Sequence, residues 1–145
     1  MDLKRWTVAW IGAYASLALC DFFVHGVWLG PMYQLTASLW RPAAQMQSLL
    51  WLMWVSQAVL AALLTLIYVK GYDPKYPGAR QGFRYGVLMG FLLGVPCNLM
   101  HLVVYSHPVS LVLNWLVATV MEIIIVGVVI GLLYKPKNKV ATRRT

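Results

Sequence analysis

The chain has 145 residues, of which 61% are hydrophobic and 11% charged, with a formal net charge of +8. Soluble domains carry roughly 25% charged residues, so this is the composition of an integral membrane protein. Its length suits a single domain of a few packed helices and leaves no room for a separate catalytic domain. Both cysteines, Cys20 and Cys97, lie inside apolar stretches and form no Cys-x-x-Cys pair, which gives dithiol redox chemistry no support.

The first apolar run covers residues 6–28 behind Lys4 and Arg5. Asp21 interrupts it and no small-residue cleavage site follows, so it reads as an uncleaved anchor rather than a signal peptide. Asp21 and His25 are one helical turn apart and share a face with Trp10, Tyr14, Ala18 and Trp28. After Gly30-Pro31, the spacing of Met32, Leu35, Leu39 and Trp40 predicts a short interfacial helix over residues 31–40.

A second span is expected over residues 49–69, with Gln57 near its middle. Gly71-Tyr72-Asp73-Pro74 and the residues up to Gly78 are a loop. The third span, residues 83–105, opens on a ridge of Gly82, Gly86, Gly90 and Gly94 that Asn98 continues. Such spacing lets two helix backbones approach closely in lipid, inside one bundle or between two copies. Pro96 removes a helical hydrogen bond, so a bend or a freed Leu92 carbonyl is expected beside Cys97, Asn98 and His101. Ser106-His107-Pro108 is a tight turn with a solvated histidine. The fourth span, residues 109–134, places Glu122 on one face with Trp115, Ala118 and Thr119, and Gly127 and Gly131 form a second, shorter ridge.

These four runs predict an all-α protein, a bundle of four transmembrane helices arranged as two hairpins. Basic residues cluster before the first span, between the second and third, and in a tail over residues 135–145, with Arg41 alone on the other side. Basic residues near span ends stay in the cytoplasm, so both termini are expected inside. The charge forms three collars rather than one stripe, a membrane-anchoring pattern that argues against nucleic acid, and the tail reads as a solvated stop-transfer segment rather than a headgroup-binding one. Cys20-Asp21 with His25 is echoed by Cys97-Asn98 with His101, and Gln57 by Glu122. The echo predicts a parallel repeat of the hairpins with a site at their interface.

An ionised carboxylate at the bilayer centre is unfavourable by at least ~2.5 kcal/mol, so one kept there has a partner or a purpose. Counting along the helices puts His25 and His101 roughly 5 Å below the outer boundary, Asp21 roughly 10 Å, and Gln57 and Glu122 roughly 15 Å or more. Three readings of this polar line compete. The first is a non-enzymatic cation site or pathway, with Asp21, His25, His101 and Glu122 as ligands of a divalent metal, or with Glu122 as the exchangeable group for protons. In the second, the protein is a scaffold or accessory subunit whose polar groups only fix helix packing: Asp21 holds His25, Asn98 caps the Pro96 break, and Glu122 bonds Gln57. In the third, His25 and His101 are the axial ligands of one haem b.

Three segments carry a wider resemblance: His25-Gly-Val-Trp-Leu-Gly-Pro-Met-Tyr33, Gly82-Phe-Arg-Tyr-Gly86, and Asn114-Trp115. On these the chain resembles small four-helix membrane proteins found widely in prokaryotes. The resemblance implies the fold and a cytoplasmic membrane and implies no activity. Self-association, or a partner within a membrane complex, is the expectation for assembly.

Overall fold

In the computed structural model of the protein, residues 2–135 are described, and they contain helices and no strand. Helix α1 (Leu3–Asp21) runs on into a π-helical stretch, Phe22–Trp28. Then come α2 (Gly30–Leu35), a 3-10 turn (Ala37–Leu39), α3 (Ala43–Lys70), α4 (Gly78–Val104) and α5 (Val109–Leu133). Leu3–Trp28, Ala43–Lys70, Gly78–Val104 and Val109–Leu133 are long and apolar enough to cross a membrane. Of the basic tail, only Lys135 belongs to the described residues.

Helices outrun the apolar windows that announce them. α3 starts at Ala43 rather than near 49, and α4 at Gly78 rather than near 83, because Pro42 and Pro77 stand at the N-cap with φ of −52° and −57°. A fixed φ in that range preorganises the first turn, which can stay polar because it need not lie in hydrocarbon. Pro108 does the same for α5 at φ −56°. Asp2 caps α1, its carboxylate accepting from the Arg5 amide at 3.2 Å. The interfacial segment expected as one helix over 31–40 is instead two short pieces.

Pro96 has no N–H to give the Leu92 carbonyl, and a second irregularity, not expected, lies in α1. α4 is unbroken through Pro96, and Asn98 sends its side-chain amide to the Gly94 carbonyl at 2.8 Å, not to that of Leu92. It is α1 that changes, with the Leu29 amide reaching back five residues to Val24 at 2.7 Å. A π-helical stretch winds more slowly than an α-helix, so faces counted at 3.6 residues per turn no longer hold beyond Asp21.

α4 and α5 pack along their whole length on glycines. A Cβ at Gly78 would strike the Gly131 carbonyl, one at Gly82 the Gly127 carbonyl, and one at Gly86 would lie 2.8 Å from the Ile123 carbonyl. Farther along, Gly90 faces Val120, and Gly94 faces Leu116 and Val120. Each step of four along α4 is met by a step of about four along α5, so the ridge is spent inside this hairpin. α1 lies against both α5 and α3, using the small face of Ala9 and Ala13 together with Leu17.

We call the end holding residues 29–42 and 105–108 distal, and the end holding the 71–77 loop proximal. The apolar core is proximal: Ala13, Leu64, Tyr68, Val126, Ile130 and Tyr134 belong to one buried cluster. There α3 is tied to its neighbours, since Trp10 Nε1–H donates to the Ala58 carbonyl at 3.0 Å and the Tyr85 hydroxyl to the Leu64 carbonyl at 2.6 Å. In the distal half the ties stop. Every residue from 41 to 56 is exposed.

Candidate binding cavity

Between the distal half of α3 and the ends of α4 and α5 lies a cavity of about 1160 Å³. Its wall takes His25 from the π-helical stretch, Tyr33 from α2, Trp40 and Arg41 from the linker, and Met46 and Met53 from α3. Asn98 and His101 face it from α4, and Trp115, Thr119 and Glu122 from α5. The α5 residues recur every three or four positions, the spacing that lines up one helix face. Glu122 lies about 20 Å below the start of α5, so the cavity reaches mid-bundle.

One hydrogen-bond chain builds the upper wall. Indole nitrogen is only a donor, so Trp115 Nε1–H donates to the Tyr33 oxygen, at 2.8 Å. The Tyr33 hydroxyl proton is then free for His25 Nδ1, 2.5 Å away, which leaves the imidazole proton on Nε2. That nitrogen faces Asp21 Oδ1 at 3.8 Å. Burial pushes the Tyr33 phenol above its ordinary value of 10.0, while the Trp115 hydrogen bond pulls it down, so this link stays a neutral phenol at physiological pH. On the opposite wall His101 Nδ1 is 2.9 Å from the Cys97 carbonyl. A carbonyl can only accept, so His101 Nδ1 carries a proton.

Aromatic rings close the distal rim. Trp40 meets Tyr33 and Trp115 edge-on, with centroids 5.4 and 6.0 Å apart. His107 is not the solvated turn residue expected from its place beside Pro108: it is half-buried, stacks on Trp40 at 5.3 Å and meets Trp115 edge-on at 5.3 Å. The reason is the turn itself, which folds the 105–108 segment back over Trp115 and Trp40.

Glu122 stands apart from this network. Its Oε1 is buried and, among the described residues, has no hydrogen-bond partner. Gln57 Oε1 is in the same condition, and no hydrogen bond joins the two side chains. The expected Glu122–Gln57 pair is therefore absent. Both sit where a bond across the bundle was expected, but α3 and α5 touch only sparsely.

Of the four ligands expected for a metal, His25, His101 and Glu122 line the cavity and Asp21 does not, its carboxylate lying behind His25 at 3.8 Å. Among the described residues, no three His, Cys, Asp or Glu side chains gather closely enough to hold a metal ion. The two histidines expected as haem ligands, His25 and His101, both line the cavity; His25 Nδ1 is taken by Tyr33, and its Nε2 lies 3.8 Å from Asp21 Oδ1, beyond hydrogen-bond reach. The six glycines expected as packing residues, Gly82, Gly86, Gly90, Gly94, Gly127 and Gly131, lie at the α4–α5 contact, away from the cavity. Tyr33, Trp40, Arg41 and His107 were not singled out as site residues by spacing. The interfacial signal of Tyr33 and Trp40 pointed to headgroups, and nothing local marked a shared wall.

Comparison with known proteins finds no matching family model, no matching curated protein and no matching solved structure.

Proposed function

We propose that this is a non-enzymatic protein of the prokaryotic cytoplasmic membrane, both termini inside, whose outward-facing distal cavity binds an amphiphilic organic cation. The observation that carries this reading is the Glu122 carboxylate: one oxygen is buried without a donor at the wall of an aromatic-rimmed cavity. A buried acceptor left unpaired is costly, by about 1–3 kcal/mol, and a ligand ammonium or other donor would remove that cost. Trp40, Trp115 and Tyr33 offer ring faces and edges on the way in, where cation–π contact contributes roughly 0.5–2 kcal/mol. Met46 and Met53 supply adaptable apolar surface for the body of the ligand. The volume suits an organic molecule, since such sites measure roughly 300–1,000 Å³. It is far larger than a metal ion needs. Among the described residues Arg41 is the one fixed positive charge on the wall, and it is exposed at the rim, where water and headgroups screen it.

Tryptophan fluorescence tests the proposal, because Trp40 and Trp115 line the cavity. Titration of purified protein with 4-phenylbutylammonium should give a saturable change that Glu122→Gln weakens by roughly tenfold or more. A change that fails to saturate, or one of equal strength in the variant, would overturn it.

A second reading, a subunit of a larger membrane assembly, is favoured by the distal half of α3. Its residues 43–56 are exposed and include Trp51 and Trp54. Purification at low detergent with a cofractionating partner seated on that half would support it.

A further inference from the structure

A smaller cavity, of about 420 Å³, lies at the opposite, proximal end of the molecule, where the 71–77 loop folds over the first turns of α4. Gln81 pins the loop, its side-chain N–H donating to the Gly71 carbonyl at 3.1 Å. Tyr85, on the same wall, is committed to the Leu64 carbonyl at 2.6 Å. Arg80 and Arg84 also line this cavity. They are one turn apart on α4, both are exposed, and no carboxylate among the described residues pairs with either. Leu88, one turn further toward the bundle centre, is 67% exposed and completes the stripe. The stripe thus passes from two guanidinium groups to bare apolar surface in a single direction along the helix.

That order matches one ligand chemistry. We propose that this cavity takes the phosphate of an anionic phospholipid, bracketed by Arg80 and Arg84, with the lipid's acyl chain lying on Leu88. Guanidinium is the side chain best shaped for phosphate, since its planar fork donates two parallel hydrogen bonds. Two forks one turn apart reach one phosphate from two sides. The opposing charge on the wall is Asp73, whose Oδ1 accepts from the Lys75 amide at 3.0 Å, so it is held in the loop. Lys75 itself is exposed nearby and adds positive charge. Basic pockets between spanning helices take anionic headgroups by this combination of charge and apolar surface. The inference is independent of the distal cavity and of its ligand.

Native mass spectrometry of the full chain tests it, with phosphatidylglycerol, phosphatidylcholine or inorganic phosphate added to the micelles. Phosphatidylglycerol should be retained at one copy per chain and phosphatidylcholine should not. The double substitution Arg80→Gln with Arg84→Gln should weaken that retention by tenfold or more. Lys4→Gln with Arg5→Gln removes the same charge at the same end outside the cavity and should leave it unchanged. If the double arginine variant does not fold, Arg84→Gln alone should still weaken retention several-fold. Equal retention of both lipids, equal loss in the Lys4 and Arg5 variant, or no loss in the arginine variants would each overturn the site. Competition by inorganic phosphate at millimolar concentration would overturn the lipid as its occupant.

Discussion

The indole N–H of Trp115 donates to the Tyr33 hydroxyl at 2.8 Å, joining α5 to a six-residue helix 82 positions earlier in the chain. This bond orders the distal rim. It turns the Tyr33 proton toward His25, and so decides which imidazole nitrogen meets Asp21.

Tyr33→Phe should therefore act on two elements at once. It leaves the N–H of half-buried Trp115 unpaired, which is destabilising by about 1–3 kcal/mol, while the exposed His25 Nδ1 can turn to water. Thermal unfolding in detergent measures the loss. The raised phenol has a pH consequence as well. A group whose folded value lies above its unfolded one contributes stability that is present below the unfolded value and lost as pH rises through the folded one. Wild-type stability should thus fall above pH 10.0 more steeply than that of Tyr33→Phe, and parallel curves would contradict the burial of the phenol.

The α4–α5 seam predicts a sharp position dependence for glycine substitutions. Gly82→Val and Gly127→Val each force side-chain atoms into the facing backbone, and overpacking of this kind is destabilising by about 1–3 kcal/mol or more. Gly30→Ala, with nothing within 4 Å of the added carbon, should stay within about 0.5 kcal/mol of wild type. Unfolding in mixed micelles compares all three. Equal effects at Gly30 and Gly82 would mean that the seam is not where the two helices meet.

Metal removal should change nothing. No three candidate ligands converge among the described residues, so dialysis against a chelator should leave the melting temperature where it was. A drop of several degrees, reversed by one divalent ion, would restore the metal reading of His25, His101 and Glu122.

Much of the fold was legible because hydrocarbon demands it. Four runs of apolar residues announce four long helices whatever their packing, and Pro42, Pro77 and Pro108 mark where three of them begin. The glycine ridge of α4 was equally plain, but its partner was not. Spacing alone cannot say whether Gly82 faces Gly127 of the same chain or a second copy. The site was half legible. His25, His101 and Glu122 line one cavity, yet Asp21 does not, because the π-helical stretch resets the faces after it. Trp40 and His107 stack although 67 positions separate them, and no local pattern encodes such a meeting. The reading of Glu122 as bonded to Gln57 failed because the distal half of the bundle is open between α3 and α5.

The central claim is that Glu122 recognises positive charge on a ligand in the distal cavity. Calorimetry over a cycle of two ligands and two proteins tests it most directly: 4-phenylbutylammonium and neutral 4-phenylbutanol, each titrated into wild type and Glu122→Gln. The account predicts that the wild type prefers the cation by roughly tenfold or more, about 1.4 kcal/mol, and that the preference vanishes in the variant. A preference that survives Glu122→Gln, or a wild type that binds both ligands alike, would contradict it.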